Sequence, residues 1–198
     1  MNVGGRVLVI ERPESAEALI DEEAFARNEF LPYWAELWPS AVALARRAIE
    51  SDLAGRHVLE VGCGLGLPAV AAAHAGAFVL ATDWAGDALT FVARNAARNG
   101  VRVQTALLAW QHPEALASRR FDIVLGADLL YEERNAVPLL GVLDRVLARE
   151  GFALLVDPGR RHAPAFLETA RRAGWAIDSS PAEEVPQGAV HRLWRERP

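Results

Sequence analysis

Lysine is missing from all 198 residues, and every one of the 21 cations is an arginine. Its absence excludes Schiff-base chemistry, the phosphate-binding lysine of a P-loop and the lysine of a kinase site. Cysteine occurs once, at Cys63. A single thiol makes no internal disulfide, which fits a reducing cytoplasm. The five histidines, at 57, 74, 112, 162 and 191, have neither ligand spacing nor cysteine partners, so no metal is expected. Long apolar runs are also missing, although 52% of residues are hydrophobic, and Met1 to Val7 lacks the apolar stretch of a secretory leader. The expectation is a soluble cytoplasmic chain, one domain over 1–198, in which an acidic segment and cap helix (1–50) precede a core (55–198).

The charge that is present is unevenly placed. Residues 1–36 hold eight acids and three arginines, so the whole net charge of −5 lies there and the remainder is balanced. An acidic entry segment repels nucleic acid and steers a cationic partner inward, or it is a solvated helix face over Ser15 to Asn28.

The most informative stretch is His57-Val-Leu-Glu-Val-Gly-Cys-Gly-Leu-Gly-Leu-Pro68. An apolar run, an acid, alternate glycines at 62, 64 and 66 and a proline suited to a first helical turn read as strand, loop and helix. The glycines permit a sharp turn and let a ligand approach the backbone. A second run, Phe78 to Thr82, ends in Asp83, about 20 residues past the first glycine, where a carboxylate can take both ribose hydroxyls. The dinucleotide fingerprint would need glycine at 67, where Leu67 stands. Gly-x-Gly-x-Gly without a phosphate-binding lysine fits a sulfonium nucleoside better than a pyrophosphate.

Strands are expected near 57–61, 78–82, 101–107, 122–126 and 152–156, with helices near 67–75, 86–99, 134–149 and 163–173 and an Ala/Leu/Arg helix ending near Glu50. This alternation predicts an α/β, doubly wound, Rossmann-like sheet of seven mostly parallel strands with helices on both faces. Trp175 to Asp178 and Val190 to Trp194 predict a terminal hairpin that adds an antiparallel edge strand. Ligands of such sheets lie beyond the strand carboxyl ends, where strand order reverses. Glu60 to Gly66, Asp83 and Trp84, Trp110, Asp128 to Tyr131 and Asp157 to Arg160 all fall there.

Asp128-Leu-Leu-Tyr131 after the fourth strand, Trp38-Pro39 before the first helix, Pro32-Tyr-Trp-Ala35 and Asp157-Pro-Gly-Arg160 resemble the seven-strand S-adenosylmethionine-dependent methyltransferases, in their protein-lysine branch, methyltransferase family 16. The resemblance covers about residues 31 to 160. It implies S-adenosylmethionine as cofactor, held by residues 62 to 66, Asp83 and Ala127 and enclosed by Trp38 and Trp110. Trp84 lies against adenine or is buried at the sheet edge; Glu60 meets the cofactor's ammonium or braces the glycine loop. Trp34 reads as packing. Asp128 and Tyr131 would be catalytic: Asp128 accepts hydrogen bonds from the incoming amine and aims its lone pair, and Tyr131 walls the amine channel.

The activity so implied is N-methylation of lysine side chains on a protein substrate that presents them among other cations, by a monomer with no nucleic-acid or membrane partner. The alternatives are a small-amine or nicotinamide-type N-methyltransferase and a non-catalytic nucleoside-binding module.

Overall fold

The computed structural model describes residues 1–15, 32–116 and 118–196. The acidic helix expected over Ser15 to Asn28 lies almost wholly outside them. A short hairpin, β1 (Asn2–Val3) and β2 (Arg6–Val7), precedes helix α1 (Pro39–Glu50). The chain then alternates through β3 (His57–Val61), α2 (Leu67–His74), β4 (Phe78–Asp83), α3 (Gly86–Arg98) and β5 (Val103–Leu107). It continues through β6 (Phe121–Ala127), α4 (Ala136–Val146), β7 (Leu147–Asp157), α5 (Ala163–Arg172), β8 (Trp175–Pro181) and β9 (Ala189–Arg195).

Seven strands form one sheet in the order β5-β4-β3-β6-β7-β9-β8. The ladders from β5 to β7 are parallel, and β9 runs antiparallel to both of its neighbours. The antiparallel strand is therefore not the edge strand that the terminal hairpin suggested. Composition explains the exchange: β9 buries Val190, His191 and Leu193, whereas Asp178, Ser179 and Ser180 of β8 are exposed and suit an edge.

Alternate residues of the central strands feed two cores. Val58, Val79 and Ile123 join Leu44, Val70 and Val92 of α1, α2 and α3. Leu59, Leu80 and Val124 join Leu139, Leu143 and Phe166 of α4 and α5. Period-two alternation thus becomes a sheet with helices on both faces. Helix α2 is apolar nearly all round, and Leu67 to Ala72 are all buried, as a helix pressed between its neighbours and the sheet requires.

Helix α4 stops at Val146, short of the expected 149, and the chain turns directly into an eleven-residue strand. Register between β6 and β7 shifts between the pairs Phe121–Leu147 and Ile123–Phe152. Gly151 makes the bulge fit, since a Cβ there would meet the carbonyl oxygens of Phe121 and Asp122 at 2.9 Å. Strand order reverses between β3 and β6, so the loops after those strands face one another across the sheet's C-terminal edge.

Candidate functional site

The loop after β3 and the end of β4 are tied together by one carboxylate. Asp83 is 4% exposed; its Oδ2 accepts the Gly64 N–H at 3.0 Å and its Oδ1 accepts the Ala85 N–H at 3.0 Å. Burial pushes its pKa up, and the backbone donors hold it back. The Trp84 N–H is a further backbone donor to this carboxylate, and a carboxylate's four lone-pair sites still leave capacity for a hydroxyl. Trp84, the next residue, is 50% exposed. That excludes full burial at the sheet edge.

The glycines are demanded by the protein itself. Gly62 and Gly64 have φ of 61° and 49°, in the left-handed region that favours glycine. A Cβ on Gly62 would sit 2.8 Å from Leu129 and 3.2 Å from Trp110, and one on Gly64 would sit 3.0 Å from the Trp34 carbonyl oxygen. Gly66 lies against Val92 of α3, where a Cβ would approach to 2.8 Å. The turn is thus packed by Leu129, Trp110, Trp34 and Val92, and a ligand meets its backbone only on the faces they leave. Cys63 is buried within it, and burial pushes its thiol well up, so it is held as the neutral thiol.

Glu60 is 1% exposed, and its Oε2 accepts the Ala69 N–H of α2 at 2.8 Å. It therefore braces the helix that follows the glycine turn, one of the two roles open in the sequence. Burial, and then the Asp83 charge, raise its pKa well above the ordinary value. A carboxyl that keeps its proton longer when folded contributes stability that is lost as pH rises from the ordinary carboxylate value through the raised one. Glu60→Gln keeps a carbonyl for Ala69, so in urea unfolding it should gain stability relative to wild type as pH rises above the ordinary carboxylate range. A difference that does not change with pH would contradict this assignment.

Asn95 was not singled out in the sequence. It is fully buried on α3, donates through Nδ2 to the Leu65 carbonyl at 2.9 Å and the Glu11 carbonyl at 3.1 Å, and accepts the Glu11 N–H at 2.7 Å. It joins the N-terminal segment to the glycine turn. The signal was available: Asn95 stands inside a helix, where asparagine is a poor helix former, four residues before the C-cap Asn99. Removing the amide orphans three backbone groups, so Asn95→Ala should cost about 2–4 kcal/mol. Urea unfolding measures it, and a loss under about 0.5 kcal/mol would show the clamp to be unimportant.

Across the strand reversal stands the second half of the site. Ala127 ends β6, and Asp128 follows with φ 57°, its N–H donated to the Val156 carbonyl at 2.8 Å. This left-handed turn leaves the Asp128 side chain buried against Arg160, with 6% of it exposed. Its carboxylate accepts two bonds from Arg160, Nε to Oδ1 at 2.8 Å and Nη2 to Oδ2 at 2.9 Å. Arg160 is set in turn by Asp157, whose Oδ1 accepts the N–H groups of Gly159 at 2.8 Å and Arg160 at 2.7 Å. The sequence placed Arg160 at this edge but gave no hint of the pair, which joins residues 32 apart.

Aromatic rings surround the ion pair. The Arg160 guanidinium lies 5.8 Å from the Trp38 ring centroid, a cation–π distance. Tyr33 packs on Trp38 at 6.3 Å and on Tyr131 at 5.4 Å, and Trp38 Nε1 donates to the Tyr33 carbonyl at 2.9 Å. Trp38 thus stands with Asp128 and Tyr131, while Trp110 stands against Gly62. Trp34 packs on Phe91 at 5.7 Å. Burial, then the Glu132 carboxylate, push the Tyr131 phenol up, so it stays protonated at neutral pH and is no base.

The two halves touch. Leu129, inside Asp128-x-x-Tyr131, is the side chain that packs on Gly62. A carboxylate, backbone amides and aromatic faces at the ends of β3 and β4 suit an uncharged sugar and a base. Beside it the Asp128 carboxylate, the Arg160 guanidinium and the rings of Tyr33, Trp38 and Tyr131 form a second cluster.

A sequence model described as lysine methyltransferase matches residues 33–172. The chain is 35% identical over 135 residues to the electron transfer flavoprotein beta subunit lysine methyltransferase of Danio rerio, covering 65% of this chain and 51% of that protein. It is 33% identical over 129 residues to protein N-lysine methyltransferase METTL21A of the same fish, covering 61% and 59%. The chain spans about half to three fifths of the length of these curated relatives. Among solved structures it resembles a ribosomal protein L11 methylase from Lactobacillus delbrueckii subsp. bulgaricus, with TM-score 0.62 and 26% identity over 78% of this chain and 77% of that one.

Proposed function

We propose, because this chain belongs to the lysine methyltransferase family, that it transfers a methyl group from S-adenosylmethionine to lysine amines of a protein substrate. The observation that carries this reading is the contact of Leu129 with Gly62, which puts a carboxylate-anchored nucleoside turn beside a carboxylate-and-aromatic opening. The donor set at the first half fits the cofactor: Asp83 for the ribose hydroxyls, Trp84 and Trp110 for flat surfaces, the glycine turn for close approach. When bound, the cofactor supplies a methyl group activated by a sulfonium.

The chain's own residues then have two tasks. One is alignment, because an in-line displacement depends on holding donor carbon and acceptor lone pair at near contact. Asp128 retains two lone-pair sites beyond those used by Arg160 and can orient an amine, with Tyr131 and Tyr33 walling its path. The other is proton removal. A lysine amine has a pKa of about 10.4, so freeing its lone pair at neutral pH costs about 4–5 kcal/mol.

Charge supports a basic protein partner rather than nucleic acid. Residues 1–36 hold eight acids against three arginines, and of the described ones Glu11 is engaged by Arg94 and Arg98 and Glu36 by Arg12. Cell lysate incubated with methyl-tritiated cofactor, split by size and mapped by mass spectrometry, tests the reading. Label on protein lysines, falling as ionic strength rises, is expected. Label in the small-molecule filtrate, or on residues other than lysine, would contradict it.

A further inference from the structure

Resting on that reading, we propose that Arg160 is a positioning residue that neutralises Asp128, so that the acceptor ammonium enters an opening without net negative charge and gives up its proton there. A bare carboxylate beside an ammonium stabilises the cation, the wrong direction for a nucleophile that must be neutral. Asp128 has the right place to aim an amine but, alone, the wrong charge. The bidentate fork of Arg160, at 2.8 and 2.9 Å, removes that charge while leaving half the carboxylate's acceptor sites open. Arginine suits the role because it stays charged under all working conditions.

The surroundings keep the balance near zero. Asp157, from the end of β7, is buried and pushed toward its neutral form, first by burial and then by the Asp128 charge. His191, on β9 near Asp157, is held toward neutrality by burial. Glu132, beyond Tyr131, is paired with Arg134. Tyr131, whose phenol burial keeps protonated and which the Asp83 charge also reaches, packs on Tyr33, and Tyr33 packs on the Trp38 ring beside Arg160. Arg160 keeps 37% of its side chain exposed against 6% for Asp128, so the guanidinium is the member of the pair that solvent reaches. The proton leaves the ammonium for solvent. The nitrogen lone pair then forms the new bond to the methyl carbon as the carbon–sulfur bond breaks toward sulfur.

Two measurements on the whole enzyme test this. In the first, n-butylammonium, as a lysine side-chain mimic, is titrated at pH 7 into wild type and Arg160→Gln, each saturated with S-adenosylhomocysteine. The variant should bind it about tenfold more tightly, because the bare carboxylate then attracts the cation. In the second, kcat at saturating acceptor protein is followed against pH, since kcat reports ionisation in the bound state. The midpoint should move up by about one unit in Arg160→Gln, a loss of about tenfold at pH 7 that closes above pH 10. Arg160→Lys keeps the charge and should keep the wild-type midpoint.

A purely structural role for Arg160 would lower stability or rate at every pH alike. Absence of tighter butylammonium binding, an unmoved midpoint in Arg160→Gln, or an equal shift in Arg160→Lys would each overturn the proposal. Tighter binding by the variant in an enzyme whose wild type methylates no amine would support the charge assignment and overturn the proposed reaction instead.

Discussion

Asp128→Ala is expected to lower methyl transfer at saturating cofactor by at least about 100-fold while leaving cofactor affinity within a few-fold of wild type. Asp128 follows the last residue of β6 with φ 57° and lies on the acceptor side of Leu129, away from the Asp83–Gly64 anchor. Removing it takes away the acceptor that aims the amine and releases Arg160, whose free cation would then face the incoming ammonium. Because Arg160 is already 37% exposed, water can solvate it, so the fold should survive. The loss should therefore appear chiefly in kcat, beside a stability cost of about 1–2 kcal/mol from alanine at φ 57°. Asp128→Asn separates geometry from charge: the amide retains an acceptor oxygen but turns an NH2 group toward the guanidinium fork. Calorimetry with S-adenosylhomocysteine alongside single-turnover rates gives the split, and lost affinity with surviving turnover would reverse the assignment.

Asp83→Asn is expected to do the opposite. The carboxylate accepts the backbone N–H groups of Gly64 and Ala85, with Trp84 as a further donor, and has lone-pair capacity left for a ribose hydroxyl. An amide has one acceptor oxygen, so its NH2 must face either a backbone donor or a ribose hydroxyl. Losing one or two charge-assisted bonds of about 1.5–3 kcal/mol each predicts a rise of about 30- to 1,000-fold in cofactor Kd. At saturating cofactor, kcat should recover to within a few-fold, because Asp128, Arg160 and Tyr131 are untouched. A Kd that stays within threefold would mean that the nucleoside does not lie on Asp83.

Much of this arrangement was legible because it is written in short-range pattern. The apolar run before Gly62 and the one ending at Asp83 become β3 and β4, and Asp83 reaches the glycine turn as expected for a carboxylate at that strand end. Other features arise from contacts that no local pattern encodes. Gly66 reads like its two neighbours, yet its reason is Val92 on another helix. Glu60 looks like a ligand-facing acid until α2 presents Ala69 to it. Ala148 and Arg149 read as the end of a helix, but the bulge at Gly151 draws them into β7. The Asp128–Arg160 pair requires the loops after β6 and β7 to meet, which only the sheet order supplies.

The central claim is geometric: a nucleoside anchored on Asp83 above the Gly62–Gly66 turn directs its sulfur toward the opening formed by Asp128, Tyr131, Trp38 and Arg160. A crystal structure of the enzyme with S-adenosylhomocysteine tests it most directly. The account predicts both ribose hydroxyls on the Asp83 carboxylate, with the sulfur facing Asp128 past Leu129. A nucleoside bound elsewhere, or one whose sulfur faces away from Asp128, would contradict it.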